Sequence, residues 1–210
     1  MSEFQKKLGA WGGIFGGIQF IIITFGIMII YPEGYDFLLN TFSSLGLTVT
    51  KGYATPINHA LFSIACSVVA GCAVMFWLTM RTVFNETTPQ KIVSSIGTIL
   101  GVVASPFVAA LAIFAADVYP MEHGWSTILF FLIFALAITT YSFAILLNKN
   151  YENLYAAIGF VVALICVLYI TVIGGAAFQK VAVYSLILYS GFQGYKLLKV
   201  FGAENTTTQI

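Results

Sequence analysis

Apolar runs of membrane-crossing length decide what this chain can be. About 20 helical residues cross the hydrocarbon of a bilayer, and six stretches meet that requirement: residues 8–30, 58–80, 92–116, 125–147, 155–174 and 181–198. Backbone in hydrocarbon must satisfy its own hydrogen bonds, so such runs read as helices. The expected fold is all-α: one polytopic membrane domain over residues 1–210, built as a bundle of six transmembrane helices. Charge agrees. Only 8% of the residues are charged, against roughly 25% in a soluble domain. The net charge of +1 gives no electrostatic case for nucleic acid as a partner.

The last two runs are separated at Gly174-Gly175, because together they would cross the membrane twice. The apolar run behind Lys6 and Lys7 is too long for a signal-peptide core and no small-residue cleavage site closes it, so it is expected to stay as a span. Six spans place both termini on one side. With the termini inside, Lys6, Lys7, Arg81, Lys91, Lys149, Lys196 and Lys199 are inner and only Lys51 and Lys180 are outer. That bias reads as cytoplasmic N- and C-termini in a multi-pass protein of the cell membrane. Trp11, Trp77, Tyr151, Tyr155 and Tyr195 fall near inner span ends, and Tyr31, Tyr35, Tyr119 and Trp125 near outer ones, as amphipathic rings do. Cys66, Cys72 and Cys166 lie inside spans and read as apolar fillers rather than a disulfide framework. The glycosylation-type triplets at Asn85 and Asn205 are predicted cytosolic and carry no weight.

Small residues recur at four-residue spacing in two spans: Gly9, Gly13 and Gly17, flanked by Gly12 and Gly16, in the first, and Gly97, Gly101 and Ser105 in the third. Such faces let helix backbones approach closely where lipid gives no hydrophobic push. They are expected to pack mainly within the chain; the oligomeric state stays open. Pro106 in the third span is expected to kink it. The deepest polar side chains are Gln19, Thr139, Thr140 and Gln193, and no ionisable group lies at mid-span. Proton pumps, ion-coupled carriers and voltage sensors place charge at that depth, so the pattern argues against them, and against a retinal protein.

Polar chemistry collects on the outer side. The longest connection, residues 31–57, holds Glu33, Asp36, Asn40, Ser43 and Ser44. The second outer loop holds Asp117, Glu122 and His123; Asn58 and His59 open the second span, and Lys180 opens the sixth. Within the first loop, Asp36 can cap a short amphipathic helix over residues 37–45, with Gly46 at its stop. Leu38, Leu39, Phe42 and Leu45 would share its apolar face and roof the bundle. Three chemistries fit this set. His59, His123 and Asp117, with Asp36 or Glu122, carry the nitrogen and oxygen donors of a zinc site, without an HExxH-type spacing. Ser43 or Ser44 with a histidine and an aspartate carries the groups of a hydrolase acting on outer-leaflet lipids, without a nucleophile elbow. A non-catalytic vestibule would bind a lipid headgroup or small amphiphile through Asp36, Asn40, Ser43, Ser44, Asn58, His59, Asp117, Glu122, His123 and Lys180. The last is the leading reading, with membrane lipids as partners and no redox cofactor. A transporter or channel is a further alternative, and it would need a continuous polar path.

Asn40-Thr41-Phe42-Ser43-Ser44-Leu45-Gly46 resembles the signature Asn-x-x-Ser-(Asp/Glu)-Leu-Gly after the first span of the prokaryotic membrane family called domain of unknown function 998. Asn58 followed by Phe62 fits the same pattern, as does Tyr119-Pro120 with His123. The six-span plan is similar over roughly residues 10 to 200. That family is similar in plan to the damage-regulated autophagy modulator and FGF-receptor-activating-protein group, which implies a part in membrane lipid homeostasis. Ser44 stands where the family has an acid. The resemblance implies a fold and no reaction.

Overall fold

The computed structural model describes residues 1–207. The chain is helical, with six long helices among the described residues: α1 (Glu3–Ile29), α2 (Pro56–Met80), α3 (Thr88–Ile113), α4 (Pro120–Leu146), α5 (Asn153–Leu168) and α6 (Ala176–Thr207). A single π-helical turn, Tyr169–Ile173, extends α5. Local chemistry sets the starts. Ser2 and Gln5 form a reciprocal capping box on α1. The Thr87 hydroxyl accepts the Gln90 amide at the start of α3. Pro56 and Pro120 occupy the first positions of α2 and α4, where a missing N–H costs nothing.

By length and composition, five helical segments can cross a membrane: α1 to α4, and Asn153–Ile173, which is α5 with its π turn. The exterior is apolar, with Phe15, Ile22, Ile29 and Val172 about half or more exposed. Such an exterior is the inverse of a soluble surface. The predicted sixth run belongs to α6, which begins at Ala176 rather than 181 and carries Gln179, Lys180, Tyr189 and Gln193 buried against neighbours. Those inward polar groups lower its apolarity below that of the other five helices.

The helices pack in chain order, and α6 returns against α1, closing a ring. Close approach at glycine makes the closure. A Cβ on Gly9 would lie 2.6 Å from the Met75 carbonyl of α2, and one on Gly13 would lie 2.7 Å from the Ser190 carbonyl of α6. Gly194 of α6 in turn sits against the Ala10 carbonyl, where a Cβ would lie at 2.5 Å. The glycine stripe of α1 is thus filled by the chain's own α2 and α6. Between α2 and α3, Gly101 lies against the Trp77 indole. Trp77 is fully buried and packed by Phe76, Phe134 and Tyr141. Polar stitches cross the bundle: Gln19 Nε2 donates to the Ala65 carbonyl at 3.0 Å, and the hydroxyls of Thr98 and Tyr141 bond each other. Helix α3 continues through Pro106, which is exposed on its outer surface.

Candidate functional site: the roofed cavity and its mouth

The loop between α1 and α2 does not form the helix expected over residues 37–45. Asp36 does cap, its Oδ1 accepting the amides of Leu38 at 2.8 Å and Leu39 at 3.0 Å. The turn then stops. Asn40 Oδ1 takes the Asp36 amide, and the Tyr35 hydroxyl donates to the carbonyls of Asn40 and Thr41. The Phe42 amide goes instead to Gln179 Oε1 at 2.7 Å. Side chains have taken the backbone groups that a helix would pair. Only a 3-10 turn, Ser43–Gly46, follows, and then a two-stranded ribbon, β1 (Val49–Thr50) and β2 (Tyr53–Ala54). The expected shared apolar face is therefore split. Phe42 and Leu45 are buried, while Leu38 is 67% and Leu39 79% exposed. Gly46 allows the roof to settle, since a Cβ there would lie 2.4 Å from the Phe62 ring.

Most of the polar residues picked out in the sequence hold this roof in place. The ammonium of Lys180 donates to the Asn40 and Ala176 carbonyls. It also faces the rings of Tyr35, Phe37 and Phe42 at 5.0–5.5 Å. His59 Nδ1 lies 2.8 Å from the Gly46 carbonyl, and His123 Nδ1 lies 2.9 Å from the Phe114 carbonyl. Ser44 Oγ donates to the Thr41 carbonyl. Asn58 is buried beside α2's start, and its amide nitrogen has no hydrogen-bond partner among the described residues. Glu122 lies exposed on the first turn of α4.

Asp117 fastens the far end of the roof. Its Oδ2 accepts the Thr48 amide and hydroxyl at 2.9 and 2.6 Å and the Val49 amide at 2.9 Å. Partial burial acts to raise its pKa, but the hydrogen bonds from Thr48 and Val49 outweigh it and hold the carboxyl below its ordinary value. A lowered folded pKa means the tie is complete above the ordinary carboxylate range and is lost as pH falls through the folded value. Amide exchange at Thr48 and Val49, corrected for its intrinsic pH dependence, should therefore show an acid step that Asp117→Asn removes. Exchange without that step would refute the tie.

Beneath the roof is a cavity of about 120 Å³ inside the ring of helices. Gly16 and Gly17 of α1, Val69 and Ala73 of α2, Phe134 of α4 and Val183 of α6 are among its apolar walls. At its roofed end it is lined by Ser43, His123, Thr127 and Gln179. The same four residues line a wider opening of about 350 Å³, bounded by Gly124 and Ile128 of α4 and by Tyr169, Ile170, Gly174 and Gly175 at the α5–α6 bend. Gly174 and Gly175 both hold positive φ, 57° and 76°, a conformation glycine adopts freely. With the π turn, they end α5 early on this side and leave the gap.

Ser43 and His123 thus meet at one mouth, while Asp36, Asn40, His59, Asp117 and Lys180 are bound into the roof. The sequence reading missed Gln179 and Thr127. Among the described residues no three of His, Cys, Asp and Glu gather as a metal-holding group. The Ser43 hydroxyl is in reach of Thr41 Oγ1 and Gln179 Nε2, at 3.4 and 3.5 Å, rather than of a histidine. Cys66, Cys72 and Cys166 are free thiols, the first two on the cavity wall. Compared with known protein families, curated proteins and solved structures, the chain matches none.

Proposed function

We propose that the chain is a six-span protein of the cell membrane with inner termini, and that its outward vestibule holds one membrane amphiphile. The ligand's polar end would rest at Ser43, His123, Thr127 and Gln179, and its apolar part would enter the ring. One observation carries this reading: a mostly apolar cavity whose hydrogen-bonding side chains, Ser190 apart, gather at its roofed end, which is continuous with an opening beside α4. Apolar walls with a few convergent polar groups are the usual build of a small-molecule site. The sorting of Lys and Arg supports the orientation. The ring closure of α6 against α1 supports counting it as a sixth span. The motif of residues 40–46 supports kinship with the family called domain of unknown function 998.

Filling the cavity tests the reading. Val183→Phe from α6 and Ala73→Leu from α2 each add side-chain volume where the wall is open. Both variants should melt as the parent does or higher, and both should lose co-purifying amphiphile by about tenfold, equivalent to about 1.4 kcal/mol of binding. Native mass spectrometry of the purified chain measures the retained species. Undiminished retention in both variants would defeat the proposal.

A further inference from the structure

We infer that the vestibule selects an amphiphile with one acyl chain and an uncharged headgroup that both donates and accepts hydrogen bonds, of the monoacylglycerol or long-chain alcohol type. This rests on the vestibule reading above and adds the ligand's chemical class.

The headgroup argument comes from what lines the mouth. Gln179 uses Oε1 on the Phe42 amide, which leaves Nε2 as a donor, in long contact with Ser43 and beside the Tyr169 hydroxyl. The Thr127 hydroxyl gives its proton to the His123 carbonyl and keeps its oxygen as an acceptor. His123 Nδ1 faces the Phe114 carbonyl. A carbonyl only accepts, so Nδ1 carries the proton, and Nε2 of the neutral ring is an acceptor. The mouth therefore presents donors and acceptors together, as a hydroxyl or glycerol ester requires. None of the lining residues is a Lys, Arg, Asp or Glu among those described. Of the nearby charges, Glu122 lies exposed on the first turn of α4, outside the lining, and the others are committed to the roof. Lys180 is bound to carbonyls and rings of the roof. Asp36 and Asp117 are turned to backbone amides. An ionised headgroup would give up its water here without meeting a counter-charge, and that cost is large.

The chain argument comes from size. The inner cavity of about 120 Å³ falls below the roughly 300–1,000 Å³ of drug-sized ligand sites. Its walls close to helix backbone at Gly12, Gly13, Gly16 and Gly17, so it takes part of one slender chain and leaves no volume for a second.

The test uses the purified full chain in a neutral detergent. Monoolein, oleoyl lysophosphatidylglycerol and dioleoyl phosphatidylglycerol are offered at equal concentration, and one-to-one adducts are read by native mass spectrometry on the parent, Val183→Phe and Thr127→Val. The expected result is a monoolein adduct about tenfold above either phospholipid. It should be lost in Val183→Phe and weakened about fivefold in Thr127→Val, which removes a single hydroxyl. A lysophosphatidylglycerol adduct that dominates and is lost in Val183→Phe would overturn the uncharged headgroup while leaving the vestibule standing. Dominance of the dioleoyl lipid with the same sensitivity would overturn the single chain. Adducts of all three that ignore Val183→Phe would overturn the vestibule itself.

Discussion

Gly101→Ala is expected to lower the melting temperature of the purified protein, while Gly71→Ala, the same exchange in the neighbouring helix, leaves it unchanged or raises it slightly. Removing a glycine from a helix interior gains about 0.5–1 kcal/mol from backbone entropy. At Gly71 that gain stands alone, because a Cβ there meets nothing within 4 Å. At Gly101 the Cβ would lie 2.4 Å from two atoms of the Trp77 indole. The indole has nowhere to retreat: it is fully buried, stacked on Tyr141 at 5.4 Å and met edge-on by Phe76 and Phe134. Overpacking a rigid core costs typically about 1–3 kcal/mol. The steric cost exceeds the entropic gain, and the net loss is about 1–2 kcal/mol. Thermal melts of the two variants in one detergent, read beside Trp emission, decide it. Equal melting temperatures would show that the α2–α3 crossing yields more easily than the packing around Trp77 allows.

Gly101 also shows how much of the fold the sequence discloses. Four-residue spacing of small residues marks helix faces built for close approach, and on the faces of α1 and α3 backbones and rings do come close. Apolar length located the long helices, because hydrocarbon leaves the backbone no alternative partner. The loop between α1 and α2 was less legible. Its pattern of Leu38, Leu39, Phe42 and Leu45 has helical spacing, and Asp36 does cap. The outcome turned on long-range partners absent from any local window: Gln179, 137 positions away, claims the Phe42 amide, and Lys180 claims the Asn40 carbonyl.

The site divides along the same line. Reading charge and histidine as chemistry found residues that brace the roof, because these side chains satisfy loop backbone groups and so become ties. The mouth was built largely from neutral residues that such a search passes over. Gln179 fell in what looked like a linker at residues 175–180, yet α6 begins at Ala176 and places it inside the bundle. Thr127 looked like an ordinary span residue. A signal was present: a glutamine next to a lysine at the head of an apolar run is costly unless both are bonded.

Lys180→Met is expected to free the roof while leaving the ring of helices intact. Methionine keeps most of the length and the apolar stem of the side chain and removes the ammonium with its charge and donors. Lys180 is 2% exposed, so its ammonium has given up water and depends on what it meets. It meets the Asn40 and Ala176 carbonyls and three aromatic rings. A hydrogen bond to a charged group is worth about 1.5–3 kcal/mol, and desolvated cation–π contacts reach about 2 kcal/mol. Relief of the ammonium's own desolvation offsets part of this. A net local loss of about 1.4–2.8 kcal/mol corresponds to amide exchange ten- to a hundredfold faster across residues 37–42. The effect should stay local, because the α1–α6 contacts at Gly13 and Gly194 do not involve the loop. On the proposed reading it should reach the bound amphiphile all the same. Phe42 lines the cavity and packs on Phe20 at 5.5 Å, and its amide is the group held by Gln179. A roof that opens more often uncovers the mouth, so bound amphiphile should dissociate faster in Lys180→Met with little change in melting temperature. Exchange across residues 37–42 at the parent's rate would show that Asp117, His59 and Gln179 hold the roof without the lysine.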